Sequence, residues 1–332
     1  MRTDGQIVCF GELLIRLSAP GAELLLQSPR LDVCCGGAEA NVAVGLARLG
    51  HNARMLSVVA DNALGRAAVE ELRRYGVATA DVARANGRMG LYFLTPGAGP
   101  RAAEIVYDRA NSAFALADLG ALDWPGLLKG AGLFHVSGVT AALGQGPADA
   151  VIAAVTAARE AGVTVSFDCN YRAKLWQAWR GDGRTILGEI LRHADLVFGD
   201  HRDIGLILGK SFEPRAAADA AFAAFPNLQR LTHTVRVQHS ANHHELGACM
   251  YGRDGEWTAP AAPLTHIVDR IGAGDAFAAG VIHGLRQGKD NETALKFGQA
   301  AACLKHVTPG DFGLATAADL EAVLEGGLDV RR

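Results

Sequence analysis

The sequence predicts an α/β fold in which a central, mostly parallel β-sheet is flanked by helices and carries a small β-sheet lid. Short apolar runs alternate with longer amphipathic stretches, which is typical of doubly wound sheets. Two segments rich in Gly and Pro, at about 12–33 and 87–113, interrupt this alternation. The chain has 332 residues, of which 49% are hydrophobic, so we expect one large domain over 1–332.

The apolar runs and helical stretches follow each other in regular order. The strand candidates are QIVCFG, ARMLSVVA, GLFHVSG, VTVSFDCN, ADLVFGD and ELGACMYGRDG. The helix candidates are GAEANVAVGLARLG, NALGRAAVEELRRYG, PADAVIAAVTAAREAG and AGDAFAAGVIHGLRQG. All four helix candidates end in Gly, which readily adopts the left-handed conformation that follows a last helical turn. The two interrupting segments have strand-like ends, so they are predicted to form hairpins that project as a lid.

Composition excludes several classes of function. The net charge is −3 and no basic stripe is present, so a nucleic-acid partner is not expected. The chain has neither an apolar run of membrane-spanning length nor an N-terminal signal peptide. None of the six cysteines forms a CxxC pair, and we expect buried, reduced thiols. The sequence therefore predicts a soluble, cytoplasmic protein with no membrane partner.

The stretch DRIGAGDAFAAG (269–280) lies between a strand-like segment, THIVD, and a helix. Gly272, Ala273 and Gly274 are expected to turn tightly and to present free N–H groups to an anion at the helix N-terminus. Asp275 has two interpretations. It is either a capping or first-turn residue that stabilises the helix by about 1 kcal/mol, or a general base that accepts a proton from an attacking hydroxyl.

Three other motifs fit their patterns less well. A Rossmann GxGxxG pattern fails because Phe277 stands where the third Gly or Ala belongs. GLILGKS (205–211) is one residue short of a Walker A loop and is better interpreted as a helix end with Gly209 as its C-cap. QHSANHHELG (238–247) lacks the spacing of a zinc site, so a polar loop leading into a strand is favoured and no metal-binding residues are predicted.

DRIGAGDAFAAG resembles the C-terminal signature D-x-x-G-A-G-D-x-F of the ribokinase-like (PfkB-type) carbohydrate kinases, and GGAEANVAVGLARLG (36–50) resembles their N-terminal signature. Within that family the chain is most similar to the 2-keto-3-deoxygluconate kinases, through GGAEAN, YDRANSAF, FDCNYRAKLW and KHVTPGDF. The resemblance implies a ribokinase-like fold, ATP as phosphoryl donor and Asp275 as the base. It also implies Mg²⁺ held mostly through water, and it leaves a K⁺ requirement open.

The resemblance also implies a set of binding residues. For the substrate they are Gly36, Gly37, Asn41, Tyr92, Tyr107, Arg109, Arg172 and Asp311, and for the nucleotide they are Asn170, Gly272, Ala273 and Gly274. Two arginines suit a sugar acid, because the guanidinium fork can bond both oxygens of a carboxylate. Each also has a structural alternative. Arg109 would be a solvated lid residue or a partner of Asp108, Arg172 a surface helix start, and Asp311 an ordinary turn residue.

The activity implied by the resemblance is transfer of the ATP γ-phosphoryl group to the C6 hydroxyl of 2-keto-3-deoxygluconate. The alternatives are a kinase of another sugar, such as fructose or ribose, and a non-catalytic sensor of the same fold. Two departures from the family pattern bear on Mg²⁺ and nucleotide binding: DHRD (200–203) replaces N-x-x-E, and VRVQHSANHHELGA replaces K-x-G-x-x-G. A homo-oligomer formed through the lid is also expected. The sequence does not separate the gluconate from the galactonate epimer.

Overall fold

The computed structural model describes residues 3–326. Their strands are β1 (Gln6–Phe10), β2 (Leu14–Ser18), β3 (Asp32–Gly36), β4 (Ala53–Ala60), β5 (Val82–Ala85), β6 (Gly90–Thr95), β7 (Glu104–Asp108), β8 (Ala131–Ser137), β9 (Thr164–Asp168), β10 (Leu196–Phe198), β11 (Arg230–Gln238), β12 (His244–Gly252) and β13 (Glu256–Leu264). Nine of these strands form the central sheet, and four form a second, small sheet.

The helices of the same residues separate most of the strands along the chain. They are α1 (Ala38–Arg48), α2 (Ala63–Arg74), α3 (Trp124–Leu127), α4 (Gly138–Ala141), α5 (Gln145–Glu160), α6 (Ala173–Trp179), α7 (Gly183–Leu191), α8 (His201–Leu208), α9 (Pro214–Ala224), α10 (Ala273–Arg286), α11 (Asn291–His306) and α12 (Ala317–Leu324). Across residues 3–326 none is both long and apolar enough to cross a lipid bilayer.

The central sheet has the strand order β13-β12-β11-β10-β9-β8-β1-β4-β5. All pairs from β11 to β5 are parallel, and β12 and β13 add an antiparallel edge. Two apolar cores are buried. One includes residues of α1, α10 and α11, and the other residues of α5, α7 and α9. The predicted α/β architecture is therefore confirmed.

The small sheet has the order β3-β2-β6-β7. Its outer pairs, β2–β3 and β6–β7, are antiparallel hairpin pairs, whereas the central pair β2–β6 is parallel. The strands come from the two Gly- and Pro-rich segments, although β3 continues to Gly36. The movement of this sheet as a lid stays a prediction.

Two local features concern the stretches around the glycine motifs. The strand expected for THIVD is wrong, because β13 ends at Leu264. The chain then crosses to the end of α11, where the N–H groups of Val268 and Asp269 donate to the carbonyl of His306 at 2.8 and 3.1 Å. The helix-end interpretation of GLILGKS agrees with the structure, since Gly209 follows α8 in the left-handed conformation, at φ 69°.

The small residues that follow Asp275 let α10 pack closely on α11. A Cβ atom on Gly280 would lie 2.5 Å from the carbonyl oxygen of Phe297, closer than real contacts allow. This close approach buries most of α10 and fixes the direction of its N-terminus. Among the cysteines, Cys9, Cys169 and Cys249 are buried free thiols as expected, but Cys34, Cys35 and Cys303 are half-buried.

Candidate active site

Asp275 lies in the first turn of α10 and is held by a residue of α1. The N-cap position belongs to Gly272, so the capping part of the structural alternative is wrong, whereas its first-turn part agrees with the structure. Nδ2 of Asn41 donates to Oδ2 of Asp275 at 2.6 Å. Burial raises the pKa of Asp275 to about 7, and the Asn41 hydrogen bond opposes this rise. A carboxylate with this pKa is suited to accept a proton near neutral pH.

The turn before Asp275 requires glycine. Gly272 has a φ of 79°, in the left-handed region. A Cβ atom there would lie 1.9 Å from the carbonyl oxygen of Asp311. Gly274 differs, because it is exposed and a Cβ atom there would meet nothing within 4 Å. The space beside Gly274 is therefore open to a ligand.

The N–H groups of this turn are mostly unpaired. Within residues 3–326, those of Gly272, Gly274 and Asp275 have no backbone acceptor, whereas that of Ala273 makes a long bond of 3.3 Å to the carbonyl of Arg270. The predicted role of Gly272, Ala273 and Gly274 as anion donors stays a prediction, and of the three only the N–H of Ala273 already has a backbone acceptor among residues 3–326. Free donors at a helix N-terminus attract an anion, and we name residues 272–275 the phosphate turn.

The glycines before α1 approach the chain's own atoms. A Cβ atom on Gly37, whose φ is 132°, would lie 2.3 Å from the carbonyl oxygen of Glu12. One on Gly36 would lie 2.0 Å from Oδ2 of Asp311. Internal packing therefore accounts for both glycines, and their predicted contact with a substrate stays a prediction.

Asp311 lies at the centre of a buried polar network. It is 2% exposed, and Tyr92, which is 4% exposed, donates its hydroxyl to Oδ2 of Asp311. Arg16 bridges two acids, with Nη1 at 3.0 Å from Oδ1 of Asp311 and Nη2 at 2.6 Å from Oδ2 of Asp269. Burial raises the pKa of Asp311, and the charge of Arg16 lowers it. Asp311 is therefore more than a turn residue, and Tyr92 belongs to the same network.

Arg109 forms a buried ion pair. It is 6% exposed, and its Nε and Nη2 donate to Oε2 of Glu12 at 2.8 and 2.6 Å. Ser112 donates to the other oxygen of Glu12. Asp108 pairs instead with Arg88 at 2.7 Å. Both structural alternatives considered for Arg109, a solvated residue and a partner of Asp108, are wrong. Its contact with a substrate carboxylate stays a prediction.

Arg172 is the exposed N-cap residue of α6. Its charge nevertheless lowers the pKa of both Asp275 and Asp168, against the effect of burial. Burial, followed by the charge of Asp275, raises the pKa of Asp168 to about 8. The backbone N–H of Asn170, at φ 37°, donates to Oδ1 of Asp168 at 3.1 Å. The carboxyl end of β9 thus faces the phosphate turn, as expected for ligand sites of parallel sheets.

The arrangement has the parts of a phosphoryl-transfer site. They are a carboxyl group with a pKa of about 7, free N–H donors and nearby arginines. A profile of the pfkB family of carbohydrate kinases matches residues 4–311. The chain belongs to that family.

Relatives of this pfkB kinase cover almost its whole length. It is 35% identical to the 2-dehydro-3-deoxygalactonokinase of Haloferax volcanii, over 97% of each chain. It is 29% identical to the 2-dehydro-3-deoxygluconokinase of Bacillus subtilis, over 96% of this chain and 94% of the relative. The crystal structure of the 2-dehydro-3-deoxygluconokinase of Thermotoga maritima has 36% identity and a TM-score of 0.91, covering 97% of this chain and 100% of that one.

The small sheet of the kinase presents two tyrosines side by side. Tyr92 and Tyr107 are cross-strand partners on β6 and β7, with ring centroids 6.0 Å apart. Tyr107 is 41% exposed, and the guanidinium carbon of Arg109 lies 6.0 Å from its ring centroid. The predicted lid residues are therefore gathered near the Glu12–Arg109 pair.

The two departures from the family pattern have clear structures. Asp200 and Asp203 of DHRD form a capping box at the start of α8. The segment that replaces the nucleotide loop is the β11–β12 hairpin. Its turn contacts the loop between β6 and β7, where the N–H of Ala241 donates to the carbonyl of Gly99 at 2.8 Å and the N–H of Gly99 donates to Oδ1 of Asn242 at 2.9 Å.

A cavity of about 460 Å³ lies between the small sheet, the β11–β12 turn and the loop before α10. Arg16 and Asp269–Ile271 line it, but Asp275, Arg109 and Arg172 do not. A ligand in this cavity would therefore contact the loop that leads into the phosphate turn rather than the carboxylate itself.

Two arginines near the phosphate turn escaped the sequence analysis. Arg236 lies on β11, and Arg270 lies two residues before Gly272. Burial lowers the pKa of Arg236, and the charge of Arg270 lowers it further. Within residues 3–326 neither one forms a salt bridge. The available signal was an Arg in each of the stretches VRVQ and DRIG, where the hairpin and the turn converge.

Proposed function

We propose that this kinase transfers the γ-phosphoryl group of ATP to the C6 hydroxyl of 2-keto-3-deoxygluconate. The observation that carries the proposal is the Asn41–Asp275 pair beside the free N–H groups of the phosphate turn. A carboxylate beside an anion site repels phosphate. The presence of Asp275 there is best explained if it accepts a proton from the attacking hydroxyl. Relatives named for 2-dehydro-3-deoxy sugar acids support the substrate class.

In the proposed reaction Asp275 accepts the proton of the C6 hydroxyl as its oxygen attacks the γ-phosphorus. Asn41 holds the carboxylate in place, which lowers the cost of orientation during the reaction. The N–H groups of Gly272, Gly274 and Asp275 stabilise the charge on the transferred group. Removing a single donor of this kind typically slows turnover by about 10²–10³-fold.

Arg236 and Arg270 are the proposed ligands of the nucleotide phosphates, together with Asn170 at the carboxyl end of β9. Two like charges without acidic partners gain most from a polyanion. Their positions on β11 and beside the phosphate turn offset the missing K-x-G-x-x-G loop. No group of three or more His, Cys, Asp or Glu residues within 3–326 is arranged to hold a metal. Mg²⁺ would therefore enter with the nucleotide and neutralise phosphate charge.

The residues proposed to recognise the sugar acid are Arg172, Arg109 and Tyr107. Arg172 is exposed and donates Nη1 to the carbonyl of Tyr171 at 3.1 Å, which leaves Nε and Nη2 for a carboxylate. Arg109 keeps Nε and Nη2 on Glu12 and has Nη1 to offer. Tyr107 would flank the substrate carbons, with Tyr92 and Asp311 supporting it from beneath.

A coupled assay of ADP release tests this function. It would compare 2-keto-3-deoxygluconate, 2-keto-3-deoxygalactonate, fructose and ribose. We expect the two keto-deoxy acids to be phosphorylated far faster than the neutral sugars. The galactonate epimer is the second candidate, because the Haloferax volcanii relative at 35% identity carries that name. Preference for a neutral sugar would overturn the substrate, and binding without ADP release would support a sensor.

We also propose that a second copy of the chain covers the small sheet. The edge strand β7 is exposed along its whole length, with Ile105, Val106 and Tyr107 37%, 48% and 41% exposed. An apolar edge strand of this kind favours pairing with another sheet. Light scattering after gel filtration should detect a dimer, and Val106→Glu should convert it to a monomer. A monomeric wild type would contradict the proposal.

A further inference from the structure

Lys305, near the end of α11, carries its charge inside the protein. Its residue is 1% exposed, and its Nζ donates to the carbonyl oxygens of Asp269 at 3.1 Å and Thr308 at 2.8 Å. Burial lowers the pKa of Lys305, while the charges of Asp269 and Asp311 raise it. Burying an ammonium group costs free energy, and here the two carbonyl contacts and the nearby charges of Asp269 and Asp311 offset that cost.

The two carbonyls come from separate loops that meet at the phosphate turn. Asp269 begins the loop that leads into Gly272, and Thr308 begins the loop that leads into Asp311. Gly272 lies directly against the carbonyl of Asp311. The ammonium group therefore links the two loops that flank the phosphate turn, which we call its walls. Any shift of one wall would change the direction of the N–H donors.

Main-chain carbonyls converging on one point are also the ligands that a monovalent cation such as K⁺ prefers. In this chain the ammonium group of Lys305, which carries the same charge as K⁺, lies between the carbonyls of Asp269 and Thr308. This contact bears on the question of K⁺, which the sequence left open.

We propose that Lys305 is a positioning residue that acts as the built-in monovalent cation of the phosphate turn. Its ammonium group holds the loops that begin at Asp269 and Thr308 together, so the N–H donors are aimed without added K⁺. The inference rests on the proposed function, because it takes the turn to be where the ATP phosphates bind.

The first test exchanges the monovalent cation of the buffer in experiments on the wild type. ATP binding by titration calorimetry and turnover of the keto acids would be measured in KCl and in tetramethylammonium chloride. At equal ionic strength, where screening is the same, we expect a difference of less than about twofold. A strict K⁺ requirement would overturn the proposal.

The second test removes the ammonium group. Lys305→Ala should lower kcat by about 100-fold, the loss typical of a small misplacement of catalytic groups. Added NH₄Cl should restore much of this loss with saturation, because the free ion fits the vacated space, whereas tetramethylammonium chloride should not. A role in folding alone would lower the melting temperature, leave turnover per folded molecule unchanged and give no response to NH₄⁺.

Lys305→Met keeps the aliphatic packing and serves if the alanine variant does not fold. It should lose ATP affinity and turnover per folded molecule, and NH₄Cl should not restore them because the space is filled. Unchanged ATP affinity and turnover in this variant would overturn the proposal. The matched control is Lys296→Met on the same helix, where the lysine is exposed and pairs with Glu292. It should behave like the wild type.

Calorimetry separates this inference from the proposed substrate. If the wild type binds ATP but phosphorylates no sugar acid, the substrate assignment fails. The role of Lys305 is then still measured as a loss of ATP affinity that NH₄⁺ restores. If the wild type binds no ATP, both proposals fail.

Discussion

The side-chain amide of Asn41 donates to Oδ2 of Asp275 across 2.6 Å, although the two residues are 234 positions apart. The bond joins the N-terminal turns of α1 and α10. Oδ1 of Asn41 is buried and has no partner within residues 3–326. A buried acceptor left unpaired costs free energy, so this oxygen marks where the hydroxyl of a ligand would complete the site.

Asp275→Asn should abolish most of the turnover while leaving the fold intact. The amide is nearly isosteric but accepts no proton, and general-base catalysis typically contributes about 10²–10⁴-fold. Steady-state assays with the keto acid and ATP would measure kcat, and circular dichroism would check the fold. Asp219→Asn, at an exposed position of α9, is the matched control. Near-normal turnover in Asp275→Asn would remove the base assignment.

The pH profile should reflect the raised pKa of Asp275. A base works when deprotonated, so kcat/KM should be full at alkaline pH and fall as pH drops through about 7. Since the Asn41 hydrogen bond lowers this pKa, Asn41→Leu should move the acid limb to higher pH. An acid limb near 4 in the wild type, the range of an ordinary carboxyl, would contradict the prediction.

The stability of the fold should also depend on the protonation of Asp275, but it should fall as pH rises, whereas kcat/KM should increase. The pKa of Asp275 in the folded chain, about 7, exceeds its ordinary value of 3.8, so the folded state loses stability as pH rises between these values. Asp275→Asn avoids this loss. We expect the variant to melt at a higher temperature than the wild type at pH 8 and at a similar temperature at pH 4. Equal melting temperatures at pH 8 would show that the buried charge costs little.

Two glycines of the phosphate turn should respond differently to alanine. Gly272→Ala combines a left-handed φ with a clash against the carbonyl of Asp311, so it should lower both stability and activity. Gly274→Ala has open space for its Cβ, so it should leave the melting temperature nearly unchanged. Its methyl group should instead intrude into the proposed phosphate position and weaken ATP affinity. Calorimetry and thermal melts of both variants would check the contrast.

Substitutions of Arg109 and Arg172 should have different effects, the first on stability and the second on substrate recognition. Arg109→Ala leaves Glu12 buried without its ion-pair partner, which typically costs about 3–5 kcal/mol in the free energy of unfolding. Arg172→Ala removes an exposed side chain, so stability should change little. It should raise KM for the keto acid far more than for ATP. Equal effects on both KM values would assign Arg172 a structural role.

Part of the site could be predicted because it depends on local chain geometry. The glycine turn, the helix after it and the position of Asp275 in the first turn all follow from a short stretch of sequence. The loop at 265–269 was mistaken for a strand because its apolar residues resemble one. Only the neighbouring α11, whose His306 carbonyl accepts its N–H groups, shows otherwise.

By itself the sequence determined the α/β class and the order of six strands and four helices. These features depend on hydrophobic periodicity and backbone preference, which act between near neighbours. Tertiary structure alone decided the partners of the charged groups. Arg109 found Glu12 rather than Asp108, and Lys305 reached two carbonyls of separate loops. Partners distant in sequence meet only once the sheet has formed, and burial then decides which charges must be paired.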